Sequence, residues 1–197
     1  MIRARGVGRR FGDKRALAGV DVDVDHGDFL LVTGANGSGK TTLLRLFAGL
    51  LVPTSGELEI RTDRGRVGFL SHDPLVYREL TPLENLDLYG RLYRIPERRE
   101  RIGMLLERFG IWDARSEATG DLSRGMLQRL ALCRALLHDP ELILLDEPFG
   151  ALDAQGAELL LDELRRLESE RRTLVVSSHQ PERLGDRPTS RLALSPA

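Results

Sequence analysis

The chain has 197 residues, a formal net charge of −1, 30% charged residues and one cysteine. That length suits one large domain with a sizeable core, and the near-neutral charge excludes the global basic excess of a nucleic-acid binder. The lone Cys133 excludes an internal disulfide and a cysteine-only metal cage, and its setting after Leu130-Ala131-Leu132 marks it as a packing residue.

Residues 1–33 read as short strands and turns. Val20-Asp21-Val22-Asp23-Val24-Asp25 alternates apolar and acidic residues, the period-2 pattern of a half-buried strand. Gly27-Asp28 turns the chain into the apolar strand Phe29-Leu30-Leu31-Val32. Next comes Gly34-Ala35-Asn36-Gly37-Ser38-Gly39-Lys40-Thr41, leading through Thr42 into an apolar-rich helix. Strand, glycine-rich loop and helix are the context of a phosphate-binding P-loop. Its glycines let backbone N–H groups turn inward around phosphate oxygens, and the helix adds the positive end of its dipole. Lys40 supplies a cation for the β- and γ-phosphates, and the Thr41 hydroxyl is a candidate Mg²⁺ ligand. A nucleoside triphosphate is the expected ligand.

After a break at Pro53-Thr54-Ser55-Gly56, Glu57–Ile60 and Val67–Leu70 are the next strand candidates. From about Leu83 the period becomes helical. Ile102, Leu105, Leu106 and Phe109 share a face, with Gly110 placed to end that helix. Arg98-Arg99-Glu100-Arg101 is expected on a solvated outer face. Another helix should start near Ser123 and run to about His138, stopped by Asp139-Pro140.

Leu142-Ile143-Leu144-Leu145 is the pattern of a central parallel strand buried on both faces. It ends in Asp146-Glu147, a Walker B pattern, with Pro148 expected to end the strand. Successive strand side chains point in opposite directions, which gives the two acids different tasks. Asp146 would hold Mg²⁺ through water, and Glu147 would orient and polarise an attacking water. Leu160, Leu161, Leu164 and Leu167 stripe the next helix, with Asp162, Glu163, Arg165 and Arg166 expected to face water. Leu174-Val175-Val176-Ser177-Ser178 is the last clear β-rich run.

Between the P-loop and Walker B lies Asp121-Leu122-Ser123-Arg124-Gly125-Met126-Leu127-Gln128-Arg129. It resembles the Leu-Ser-Gly-Gly-Gln signature of the ATP-binding-cassette (ABC) ATPase family, with Arg124 and Met126 in place of the first glycine and the glutamine. A plain serine N-cap would also explain Ser123. Other residues fit the resemblance in order. Phe11 matches the aromatic that stacks on adenine, although a lone aromatic could equally be core. Gly150-Ala151-Leu152-Asp153 is similar to the loop between the two nucleotide sites, and His179 to the switch histidine near the γ-phosphate. His72 stands where the family usually has the glutamine that meets Mg²⁺.

The resemblance implies an α/β fold, a P-loop NTPase of the ABC ATPase type with a RecA-like, mostly parallel core sheet. It further implies an N-terminal antiparallel β-subdomain and an α-helical subdomain inserted at about 73–138, within one domain spanning 1–197. ATP and Mg²⁺ are the implied cofactors, with Glu147 and His179 catalytic. Thr41, Asp146 and His72 are the implied metal contacts. Leu122, Ser123, Arg124 and Gly125 would act in trans, on ATP held by a homodimeric or paired ABC subunit.

No apolar run approaches the ~20 residues that span a bilayer, and Met1-Ile2-Arg3-Ala4-Arg5 has no signal-peptide core. The chain is therefore expected in the cytoplasm, held to the cell membrane's cytoplasmic face by integral membrane subunits on separate chains. His72, Thr81-Pro82-Leu83-Glu84-Asn85-Leu86 and the short tail after His179 are similar to the ATPase subunit of cytochrome c maturation haem exporters. Exporters of drugs, lipids or peptides remain alternatives, as does a soluble assembly factor such as one for iron–sulfur clusters.

Overall fold

A computed structural model describes residues 1–196. In chain order its strands are β1 (Ile2–Phe11), β2 (Lys14–Val24), β3 (Phe29–Gly34), β4 (Ser55–Ile60), β5 (Val67–Leu70), β6 (Leu142–Asp146), β7 (Thr173–Ser177) and β8 (Ser190–Leu194). The helices are α1 (Lys40–Phe47), α2 (Pro82–Leu92), α3 (Arg98–Arg108), α4 (Arg124–Leu136) and α5 (Ala154–Ser169). β2-β1-β4 form an antiparallel sheet, and β5-β6-β7-β3-β8 form a parallel one. α2, α3 and α4 fall between β5 and β6.

Alternation along the parallel strands divides the interior into two cores. Leu30, Val32, Leu142, Leu144 and Val175 face α1 and the antiparallel sheet. Phe29, Leu31, Ile143, Leu145 and Val176 face the side that holds α3, α4 and α5. Each fully buried leucine or phenylalanine removes enough apolar surface from water to stabilise the fold by about 1.5–3 kcal/mol. β6 is buried at every position, as its uninterrupted apolar run requires.

Local chemistry sets the helix ends. Thr81 and Glu84 form a reciprocal capping box at α2. Ser123 Oγ accepts from the Met126 N–H at α4, and Asp153 Oδ1 from the Gly156 N–H at α5. Gly110 follows α3 with φ +62°, the left-handed turn that ends it.

Two expectations about charged residues need correction. Glu163 does not face water but is buried beneath Arg108 and Arg166, whose guanidinium groups lie 3.3 and 2.7 Å from its carboxylate. It sits three residues after Leu160 and four before Leu167, hence on the edge of the apolar stripe. The two cations offset its desolvation. Nor do all the charges around Arg98 face solvent: Arg98 pairs with Asp87, and Arg101 donates to the Leu136 and Leu137 carbonyls at the C-terminal end of α4. Cations are favourable at that end of a helix.

The same end of α4 is fastened to edge strand β5. Arg134 donates to Phe69 O at 2.8 Å, and His138 Nε2 to Val67 O at 3.1 Å. Gly68 lies so close to Ala135 O that an added Cβ would sit 2.4 Å from it. The His138 ring stacks on Tyr93 with centroids 4.1 Å apart, and burial pushes its pKa down from 6.5 to about 4. The unfolded chain therefore takes up this proton first as pH falls. Stability conferred by neutral His138 is complete above pH 6.5 and is lost on acidification toward about pH 4. The slope is at most about 1.4 kcal/mol per pH unit. Urea midpoints at about pH 7 and about pH 5 check this: His138→Gln, a donor that does not titrate, should show a smaller drop than the native chain.

Candidate functional site

The P-loop leaves β3 as the spacing predicts. Gly34 has φ +148° and Gly39 φ +96°; a Cβ at Gly39 would meet Ala16 O at 2.4 Å, so only glycine fits this close crossing. Gly39 also opens α1 without a side-chain cap, so no side chain competes for the donors of the first turn. Lys40 is buried, with Nζ 2.9 Å from Gly34 O and 3.4 Å from Glu147 Oε1.

The sheet order carries Walker B to the same place. Thr41 Oγ1 donates to Asp146 Oδ2 at 2.7 Å, and Ser177 Oγ donates to Asp146 Oδ1 at 2.6 Å. Strand alternation does not separate the two acids, because β6 ends at Asp146 rather than at Pro148 and Glu147 turns left-handed with φ +49°. The Glu147 N–H donates to Ser177 O and Oγ, both at 3.1 Å, which fastens the turn to β7. Both carboxylates therefore meet the P-loop, Asp146 through Thr41 and Glu147 through Lys40. His179 contacts Glu147 Oε2 twice, through its backbone N–H at 3.0 Å and Nδ1 at 2.7 Å.

A cleft of about 380 Å³ opens beside Lys40, Thr41 and Glu147 and is lined also by Phe11, Lys14, Asn36 and Thr42. Phe11 ends β1 at the mouth, exposed, with the Arg9 guanidinium 4.7 Å over its ring. The cleft suits a triphosphate. The buried Ser38 Oγ has no hydrogen-bond partner among the described residues, and the α1 N-terminus and Lys40 point to an anion. Thr41 Oγ1 and Asp146 Oδ2 offer adjacent hard oxygens. Among the described residues no group of three or more His, Cys, Asp or Glu could hold a metal. Mg²⁺ takes most of its ligands from phosphates and water, so one hydroxyl and one carboxylate are the protein contribution it needs.

Other expected residues lie apart from this network. Ser123 and Arg124 are exposed, Leu122 is buried and Gly125 half-buried. Ser123 Oγ bonds only within α4 among the described residues, to Met126 N. A Cβ on Gly125 would lie 3.3 Å from Ala151 O, and Gln128 donates to Pro148 O at 3.1 Å, so the signature helix abuts the turn after Walker B. His72 lies exposed just beyond β5, with no hydrogen bond from its ring among the described residues. Sequence reading missed Ser177 as a site residue. The available signal was a hydroxyl at the end of an apolar strand.

Residues 17–150 match the family model described as ABC transporter. The chain is 35% identical over 195 residues to the ABC transporter ATP-binding protein NatA of Bacillus subtilis, covering 91% of this chain and 79% of NatA. It is 39% identical over 196 residues to the aliphatic sulfonates import ATP-binding protein SsuB 1 of Paraburkholderia xenovorans, covering 94% of this chain but 56% of that one. Among solved structures, the dimeric structure of MJ0796, a bacterial ABC transporter cassette, superposes with a TM-score of 0.89 at 30% identity. That match covers all of this chain and 95% of the other. Among the described residues no helix is long and apolar enough to cross a membrane.

Proposed function

The chain belongs to the ABC transporter family, and from that premise we propose that it is an ATP-hydrolysing subunit that drives a separate membrane partner. The observation that carries this reading is the set of contacts that ties Thr41 to Asp146, and Lys40 and His179 to Glu147, beside the P-loop cleft. Lys40 and the open α1 N-terminus bind and orient the phosphates. Thr41 and Asp146 are the residues that would hold Mg²⁺, which would supply charge neutralisation for the transferred phosphoryl group. Glu147 accepts a proton from the attacking water and aims it, while His179 sits where it can meet the terminal phosphate. Phe11 offers its exposed face to the base.

The isolated chain leaves Ser123 and Arg124 facing solvent. A second subunit, head to tail, would bring Leu122, Ser123, Arg124 and Gly125 onto the triphosphate, and the dimeric arrangement of MJ0796 supports that pairing. Bound ATP then favours the closed pair and hydrolysis releases it, a two-state shift set by differential affinity. We take 73–138 as the inserted helical arm. Where it meets the core, a groove of about 250 Å³ is lined by Leu50, Arg64, Leu75, Tyr93, Arg134 and His138. Leu50 and Leu75 are exposed there. An apolar segment of the membrane partner is its occupant in this reading, with His72 on the adjoining loop.

For the cargo we propose haem destined for cytochrome c, a reading that rests on His72 and its loop. NatA and SsuB 1 are not named for haem. Gentle detergent purification from the native source tests both levels. Membrane subunits with bound haem are expected, and Leu75→Asp should deplete those subunits without unfolding the chain. Membrane subunits free of haem would overturn the cargo. A cluster-assembly scaffold in their place would overturn transport.

A further inference from the structure

Gln180 follows His179, and its side chain joins a directed chain of hydrogen bonds. Arg183 Nε donates to Gln180 Oε1 at 2.5 Å, and Gln180 Nε2 lies 3.2 Å from His179 Nε2. Its backbone N–H is held by Ser178 Oγ at 3.0 Å, and the Arg183 guanidinium lies 5.7 Å from the Phe149 ring.

Donor and acceptor chemistry fixes every proton in this chain. A guanidinium only donates, so it must face the amide oxygen, which turns the amide NH₂ toward the imidazole. An amide NH₂ does not accept, so His179 Nε2 presents a lone pair. An ionised carboxylate only accepts, so Nδ1 carries the hydrogen given to Glu147. A phosphate oxygen is likewise an acceptor. While Gln180 donates to Nε2, the ring has no hydrogen there to give to a phosphate.

We propose that Gln180, aimed by Arg183, is a positioning residue that parks His179 on Glu147 and withholds its Nε2 from the phosphate. The proposal rests on the reading of Glu147 and His179 as the catalytic pair. It makes the nucleotide-free arrangement a brake: the base is occupied by His179, and His179 is held by Gln180. Turnover requires the amide to let go.

The test uses the full chain labelled with ¹⁵N-histidine, without nucleotide, and two-bond ¹⁵N–¹H spectra. The chain has four histidines, and His179→Ala identifies the resonance. Hydrogen on Nδ1 alone is expected in the native protein. Gln180→Glu replaces a donor by an acceptor and should place hydrogen on Nε2. Gln180→Met removes the contact at similar size and should raise basal ATP turnover about threefold, the scale of one hydrogen bond, with KM for ATP little changed. Hydrogen on Nε2 in the native chain, an unchanged pattern in Gln180→Glu, or unraised turnover in Gln180→Met would each overturn the proposal. Full turnover by His179→Ala would instead sink the catalytic reading of His179, and the spectra would still decide how Gln180 holds the ring.

Discussion

Glu147→Gln should keep ATP bound and lower steady-state turnover by about 100-fold or more, the usual scale of a positioned general base. The substitution preserves shape but removes the charge, and with it the ability to accept a proton and the ion pair with Lys40. Lys40 stays anchored on Gly34 O, and Thr41 still reaches Asp146. The Glu147 backbone N–H continues to hold the turn through Ser177. The groups that bind the phosphates therefore keep their positions, and the loss should fall on kcat. Phosphate release measured beside ATP binding separates the two, and near-normal turnover would sink the role assigned to Glu147. Prolonged closure is a second expected sign, because in the proposed pairing the two subunits open only when the terminal phosphate leaves.

Ser123→Arg should abolish ATP-driven pairing while a single subunit binds nucleotide as before. Ser123 lies exposed at the start of α4 and makes no hydrogen bond to its own P-loop among the described residues. The change removes an N-cap, worth about 1 kcal/mol, and sets a second bulky cation beside Arg124. Positive charge at a helix N-terminus is unfavourable, and the added length blocks close approach of the other cleft. Ser123→Thr keeps the cap and serves as the control. Light scattering with ATP, in the Glu147→Gln background, reads the pairing directly. Dimers that persist in Ser123→Arg would end the trans-site reading.

The features legible in the sequence were those fixed by local chain geometry. Gly34–Thr41 announced its loop because backbone conformation there demands glycine. β6 announced its burial on both faces because all of its residues are excluded from water. α3 declared itself by its period and α4 by its ends. Illegible features were those decided between segments distant in sequence. The positive φ of Glu147 is held by Ser177 on another strand, so no spacing rule places its carboxylate. Glu163 looked solvated until Arg108 arrived from α3. Arg101 looked like one charge in a cluster and turned out to finish another helix.

The fastening of α4 to β5 has a mechanical meaning. α4 has thirteen residues, a rod about 20 Å long. Its C-terminal end is pinned by Arg134, His138 and the Gly68 crossing, and its N-terminal end carries Ser123. A tilt of about 6° about the pin would carry Ser123 through about 2 Å over that length, enough to make or break a hydrogen bond. Arg134 and His138 also line the groove proposed for the partner. The fulcrum of this lever therefore lies inside that groove and its tip at Ser123, so under the proposed pairing a small push at one end would be read at the second nucleotide with gain.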